Sequence, residues 1–413
     1  MVQTTDFPRP GAGRLLATYF AWAFRNADWL TADRARAWSR ILAVLLLIRV
    51  ALWLILPQPG DPIAADFVCY WVAAGFAAAG HAALVYDPVS MSRAEHAQLA
   101  LAPNAAFGFY YPPGFLLLLL PLAALPYLAA LLAFLAAEFV PFFASVRRLL
   151  PQSWALLPIA AFPGVVVTAG TGQNGFLSAA CFGGYMVFLD ERPMLAGACL
   201  GLISYKPHLA LCAPVALLAA RRWRAVTGAI LSATMLAALS FLVFGQATWA
   251  GFLEALPQAG EMLAHGLIDP AKLQSTFGAF RILHLSITAG AVAQAIVSIC
   301  ALAVLGAVTW RRPGGRAEGA ILAAAALVCS PYLVDYDLAI LGLPLAWLLA
   351  EAVRTGFRPW EKILLLMAYI LPIMSHGLAA LYHIPIAPFI LCAILACAAL
   401  RLSPRTDAFI ARS

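Results

Sequence analysis

Asp66 opens the stretch Asp-Phe-Val-Cys-Tyr-Trp (66–71), just outside the first apolar run of a chain that is otherwise almost wholly apolar. A carboxylate so placed is close to lipid yet still wet, which suits proton abstraction from a substrate held at a bilayer surface. The competing reading is an N-cap, because an Asp just before a helix satisfies orphan N–H groups. Tyr70 and Trp71, in the same stretch, are candidate substrate contacts.

Lys206 is flanked by apolar residues, a placement that costs a few kcal/mol in a membrane and usually faces a cavity or a partner. Two partners fit: an anionic ligand group, helped by the backbone donors that a break at Pro207 would free, or a carboxylate of the protein. His208 could assist or could be a structural hydrogen-bonder. Arg281 carries a fork that suits phosphate oxygens. Asp335-Tyr336-Asp337 spells a DxD, in which Asp337 reads as an active-site partner and Asp335 as a helix cap. Gln173 and Asn174 could bind hydroxyl groups or could be turn residues. No GxGxxG, P-loop, HExxH or GxSxG occurs in a suitable setting, so nucleotide binding and hydrolase chemistry have no support.

The elements that must position these groups are membrane helices. With 63% hydrophobic and 11% charged residues, the 413-residue chain has too little polar surface for a soluble domain. Its apolar runs are Leu-, Ala- and Val-rich without period-two alternation, which excludes barrel strands. The fold class expected is an all-α polytopic membrane protein. The net charge of +7 is no nucleic-acid footprint, since the arginines fall in short clusters between apolar runs (34–40, 147–148, 221–224, 311–316, 354–362, 401–405), as the positive-inside rule describes. The eight cysteines form no CxxC and read as small core residues.

If each cluster is cytoplasmic, the runs between clusters cross an even number of times. Residues 149–170 and 175–189 make a hairpin with Gln173 and Asn174 at its outer tip. Residues 318–331 and 338–353 make a second, with Asp335 and Asp337 at the turn, and 363–376 with 386–400 a third. The run 225–244 leads out and 285–308 leads back, around an outer segment at 245–284. From 114 to 146 the chain is too long for one span, and Pro121, Pro126 and Pro141 are expected to break it. Around Lys206 each arm reaches only half a bilayer, so two short helices should meet there. About twelve helices at membrane depth are expected in a domain over 41–400, after a cytoplasmic amphipathic N-terminus (1–40) and before a cytoplasmic tail (401–413). The first outer loop (58–112) should hold an amphipathic interfacial helix at 66–80 and a second helix at 88–101. Asp61 reads as a turn, and Arg49, inside the first span, should pair within the bundle.

The ordered set Asp66-Phe67, Tyr70-Trp71, Tyr86-Asp87, Tyr111-Pro112-Pro113, Gly172-Gln173-Asn174, Ala196-Gly197 with Gly201, Lys206-Pro207 and Tyr336-Asp337 resembles glycosyltransferase family 87, over about Asp61 to Pro344. That family comprises polyprenol-phosphate-mannose-dependent mannosyltransferases and their bacterial relatives. The resemblance implies a C-type glycosyltransferase of the inner membrane with its site on the periplasmic face and a lipid-phosphate sugar as donor. It places the general base at Asp66 and implies transfer, with inversion, of a hexose, mannose first, to a glycolipid or glycan acceptor. No metal and no nucleotide cofactor is implied, and the partners are the donor, the acceptor and membrane lipids. A rival reading, a secondary transporter or flippase of lipid-linked sugars, would share the many spans and the buried lysine. It would keep its function on Asp66→Asn, whereas the transferase would lose it.

Overall fold

The computed structural model describes residues 23–56, 64–102, 105, 107–265, 269–311 and 314–402, without the side chains of 49, 50, 53, 54, 259 and 263–265. The first 22 residues, Asp61, the tail after 402 and the pairing of Arg49 therefore lie outside the described residues. Among the described residues every regular element is a helix, and one isolated β-bridge joins Leu273 to Val334. In chain order the helices are α1 (Ala32–Ile55), α2 (Phe67–Ala78), α3 (Pro88–Gln98), α4 (Gly114–Leu119), α5 (Tyr127–Leu149), α6 (Leu156–Ala160) and α7 (Pro163–Thr171). Then follow α8 (Gly175–Phe188), α9 (Pro193–Leu202), α10 (Pro207–Ala210), α11 (Cys212–Ala219) and α12 (Trp223–His265). The last are α13 (Thr276–Ile282), α14 (Ile287–Arg311), α15 (Gly315–Cys329), α16 (Gly342–Thr355), α17 (Glu361–Tyr382) and α18 (Ala387–Leu402).

Among the described residues six helical stretches are long and apolar enough to cross a membrane: 127–149, 153–171, 223–262, 287–311, 335–355 and 361–382. Six further apolar helices of 10–17 residues fall short of the roughly 20 that one crossing needs. Of the about twelve helices expected at membrane depth, six among the described residues thus have the length and apolarity of a span. A helical membrane protein is what the described residues form, since only intrasegment hydrogen bonding satisfies the backbone in hydrocarbon.

Proline and glycine set the breaks. The run from 114 divides at Leu125-Pro126, where Leu125 is extended (ψ 145°), and α5 starts behind the proline. Pro141 breaks nothing: it lies inside α5, and its own carbonyl accepts the Ser145 hydroxyl at 2.8 Å. The run out from residue 223 is interrupted next to its expected end at 244. It kinks at Gly245 (φ +78°), a backbone conformation that side chains resist, and helix resumes to His265. In helix α2, Phe67, Val68, Tyr70, Val72, Ala73, Ala74 and Ala77 point in several directions and are all buried, because α3, α4 and the turn at 120–124 cover it on more than one side. Protein thus covers most of this helix, while Gly75 and Ala78 stay exposed, and its aromatic residues serve protein packing.

The centre is α15 with the segment 335–348. Ala323, Ala324, Ala325 and Ala326 are fully enclosed, and such small residues let neighbouring helices approach closely where lipid supplies no hydrophobic drive. The same device joins α9 to α12. A Cβ on Gly197 would sit 1.8 Å from the Ala225 carbonyl oxygen, and one on Gly201 would sit 1.9 Å from the Ser232 hydroxyl. That contact fixes the helix that ends at Lys206.

Arginines gather at the bundle end remote from Asp66. Arg222 binds Glu318 at 3.0 Å, and Glu318 also accepts the Tyr185 hydroxyl at 2.5 Å. Arg401 donates to Glu361 at 2.7 Å, and Arg147 closes the end of α5 on the carbonyls of Leu150 and Gln152. Helix α5, about 35 Å long at 1.5 Å per residue, links this end to the Asp66 end, where the Tyr127 hydroxyl donates to the Ala64 carbonyl at 2.9 Å.

Candidate active site

A cavity of about 550 Å³ opens at the Asp66 end. Its wall draws on parts of the chain far apart in sequence: Asp66 and Tyr70 from the start of α2, Tyr110 and Tyr111 from the following loop, and Gln173 from the α7–α8 tip. Lys206 and His208 come from the broken helix, Asp269 and Lys272 from the turn before α13, and Tyr332 and Tyr336 from the turn after α15. Leu256, Gly260 and Met262 of α12 form an apolar edge. The volume falls within the range of small-molecule sites.

Asp66 occupies the N-cap position of α2 but makes no capping hydrogen bond with its side chain. Its own backbone is helical, with φ −63° and ψ −23°, whereas a capping residue is typically extended. The carboxylate is half-buried on the cavity wall, and its Oδ2 accepts the Gln173 amide at 3.2 Å. Gln173 is brought there by Gly172. That glycine ends α7 in the left-handed region (φ +70°), and a Cβ on it would lie 2.7 Å from both Ala64 Cβ and Phe67 Cβ. Only a residue without a side chain lets the tip lie against the start of α2.

Behind Gln173 stands a buried polar group. The Tyr70 hydroxyl is bonded to Gln173 Oε1, receives the Asn174 amide at 2.9 Å, and is 2.8 Å from the Tyr111 hydroxyl. The Tyr205 hydroxyl continues the network to Ser178 at 2.7 Å and to the Asn174 carbonyl at 3.2 Å. Asn174 is fully buried and does not line the cavity, so it supports the wall from behind.

Lys206 is placed by the break that the sequence suggests. Helix α9 tightens into a 3-10 turn at Ile203–Tyr205, Lys206 leaves the helical region (φ −124°, ψ 79°), and Pro207 starts α10. Its ammonium donates to Asp337 Oδ1 at 2.6 Å and lies 4.9 Å over the Tyr336 ring. Both members of the pair are buried, so of the two partners weighed for Lys206 the carboxylate is the one met. Asp337 does not itself line the cavity, and its Oδ2 has no hydrogen-bond partner. Asp335 is no side-chain cap; its Oδ1 accepts the neighbouring Tyr336 N–H at 2.8 Å. Among the described residues no group of three or more His, Cys, Asp or Glu side chains converges as metal ligands would.

Two other candidates lie elsewhere. Trp71, one residue on from Tyr70 and so rotated about 100° around the helix, faces a separate cavity of about 360 Å³ and donates to the Leu125 carbonyl at 3.0 Å. Arg281, on α13, does not line the main cavity. Lys272 does, although nothing in its sequence setting separates it from a solvated loop charge. The Gln274 N–H donates to the Leu333 carbonyl at 2.7 Å and the Ser275 hydroxyl to the Pro331 carbonyl at 2.7 Å, which ties the Lys272 turn to the 331–336 turn. Among the other lining residues, Tyr110 and Tyr332 carry no sequence signal that separates them from belt aromatics. His208 Nε2, buried against Tyr332, has no hydrogen-bond partner.

A helical membrane protein with two carboxylates, two lysines and a ring of tyrosines around a recess is built to hold a polar substrate at the end of an apolar scaffold. The chain belongs to glycosyltransferase family 87, whose family model matches residues 109–331. It is therefore a membrane glycosyltransferase, which binds a sugar donor and an acceptor. The matched stretch holds the Gln173 tip, Lys206 and Lys272, while Asp66 and Asp337 lie on either side of it. Comparison with curated proteins and with solved structures gave no match.

Proposed function

We propose that the protein transfers a hexose, mannose in the first instance, from a polyprenyl-phosphate donor to a glycolipid or glycan acceptor, with inversion. The observation that carries this reading is that Asp66, His208 and Lys272 line one cavity whose remaining edge, at Leu256, Gly260 and Met262, is apolar. An anionic sugar phosphate with a hydrocarbon tail is the ligand class that combination suits. Its tail would leave across the apolar edge.

Asp66 takes the proton of the acceptor hydroxyl as that oxygen forms its bond to the anomeric carbon. The bond from that carbon to the phosphate oxygen breaks on the opposite face, and the polyprenyl phosphate leaves with the electron pair. Lys272, with Lys206 behind it, supplies positive charge where negative charge builds up on the leaving group. The tyrosines supply faces and hydroxyls for the sugar ring. The arginine-rich end of the bundle supports a cytoplasmic placement by the positive-inside rule, and hence a periplasmic cavity in a bacterial inner membrane.

The deciding experiment follows radiolabelled mannose from polyprenyl-phosphate mannose into lipid or glycan products in membranes containing the protein. Asp66→Asn should lower the rate by about a hundredfold or more while the protein remains folded. Full activity of that variant would end the assignment of Asp66 as base. No transfer by the wild type from that donor, with transfer from another lipid-linked sugar, would replace mannose as the sugar.

A further inference from the structure

The two cavity residues beside Asp66 are not equivalent to substrate ligands, because their hydrogen-bonding atoms are already used. Gln173 has one acceptor oxygen and one amide nitrogen. Its nitrogen faces Asp66 Oδ2 at 3.2 Å and its oxygen faces the Tyr70 hydroxyl. Turning the amide over would set its oxygen against a carboxylate oxygen, a repulsive contact between two acceptors. The ionised form of Asp66 therefore fixes the amide with nitrogen toward the carboxylate.

That choice fixes the rest. The single proton of the Tyr70 hydroxyl must go to Gln173 Oε1, since the Asn174 amide nitrogen can only donate to Tyr70. With its proton committed, Tyr70 can meet the Tyr111 hydroxyl, 2.8 Å away, only as an acceptor. Tyr70 is buried and wedged between Phe67, Phe115 and Phe134, with ring centroids 5.3–6.3 Å away, so its hydroxyl has one position. The rigid end of this chain of bonds is Tyr70 and Asn174. The end that meets the cavity is Asp66.

We infer that Tyr70 and Gln173 are positioning residues for Asp66: the Tyr70 hydroxyl sets the Gln173 amide, and the amide holds Oδ2 of the carboxylate and so sets how the group faces the acceptor. This rests on Asp66 being the base and extends that reading to the groups that aim it. A base held this way reaches its proton at one angle, and a small misplacement is costly.

The test compares Tyr70→Phe, Gln173→Leu and the double variant with wild type and with Asp66→Asn. The assay is mannose transfer from polyprenyl-phosphate mannose in the same membranes, with thermal unfolding in detergent as a check on folding. Phenylalanine keeps the Tyr70 ring contacts and removes only the hydroxyl. Each single variant should lower kcat by about tenfold to a hundredfold with the donor KM within about twofold of wild type. The double variant should be no slower than Gln173→Leu alone, because Tyr70 acts through Gln173. Multiplied losses in the double variant, a raised KM with unchanged kcat, or wild-type rates in either single variant would overturn the inference. If Asp66→Asn is itself active, the base assignment has failed instead, and the two failures are told apart by that arm.

Discussion

Lys206 Nζ donates to Asp337 Oδ1 at 2.6 Å, with 2% and 1% of the two side chains exposed. The pair joins a broken helix to a 3-10 turn 131 residues further on, at the floor of the cavity. Removing one member leaves the other charged and unpaired in a dry setting, which typically costs about 3–5 kcal/mol. Lys206→Met and Asp337→Asn should therefore each lower the unfolding temperature in detergent markedly. Lys206→Met combined with Asp337→Leu should recover much of that loss, because two apolar groups need no partner. Additive losses in the double variant would mean that the charge is held by more than this pair.

Gly172 sets how closely the α7–α8 tip meets α2. An alanine there adds left-handed strain of about 1–2 kcal/mol and two Cβ contacts of 2.7 Å with Ala64 and Phe67. The tip must move off, and the Gln173 amide with it. Gly172→Ala should lose about tenfold or more in transfer rate, by displacement of the residue that aims the base. Gly170→Ala, two residues earlier at a helical position with open space around it, should leave the rate unchanged. Equal effects at the two positions would remove the steric argument.

What the sequence discloses depends on whether the cause is local. The break at Lys206-Pro207 is legible because proline cannot continue a helix, and the α7–α8 tip because apolar length and arginine clusters bound it. The partner of Lys206 is not legible, since nothing in the chain links residue 206 to residue 337 except the packing of α8 and α15 between them. Aromatic and alanine residues on α2 look the same whether lipid or protein covers them, so its burial could not be read. Tyr70 and Trp71 differ by one position, and only the helix rotation sends one to the cavity and the other away. Lys272 and Arg281 carry the same charge nine residues apart, and a single bridge between Leu273 and Val334 decides which of them reaches the cavity.

Glu95 makes the loop that carries Tyr110 and Tyr111 sensitive to pH. Its Oε2 accepts the Phe107 N–H at 3.1 Å, while burial pushes the carboxyl from 4.5 up to about 7, against smaller opposing effects of that N–H and of His96. A folded-state value above the unfolded one means that the native form holds the proton more tightly between them. Stability from this group is thus greatest below its unfolded pKa, falls as pH rises to about 7, and is flat beyond. The penalty at alkaline pH is at most about 3 kcal/mol. Glu95→Gln keeps an acceptor for Phe107 and removes the charge. Its amide exchange in the 99–111 loop should match wild type near about pH 5 and be slower than wild type near about pH 8. Identical pH profiles for the two proteins would show that Glu95 does not govern the loop.

Lys272 and Arg281 give the sharpest test of where the donor's phosphate lies. Lys272 is half-buried on the cavity wall, and its backbone is pinned by the bonds from Gln274 and Ser275 to the 331–334 turn, so its ammonium is held near the recess with little freedom. Lys206 is nearer the floor, but its ammonium already serves Asp337. A charge-assisted hydrogen bond to phosphate is worth about 1.5–3 kcal/mol, a factor of about ten to a hundred in binding. Lys272→Ala should raise the KM for polyprenyl-phosphate mannose by about tenfold or more, and the effect should shrink as salt is added, because a partly exposed charge is screened. Arg281→Ala should leave that KM near wild type, since Arg281 does not line the cavity. A KM raised by Arg281→Ala and not by Lys272→Ala would move the phosphate out of this recess, and the leaving-group role given to Lys272 would fall with it.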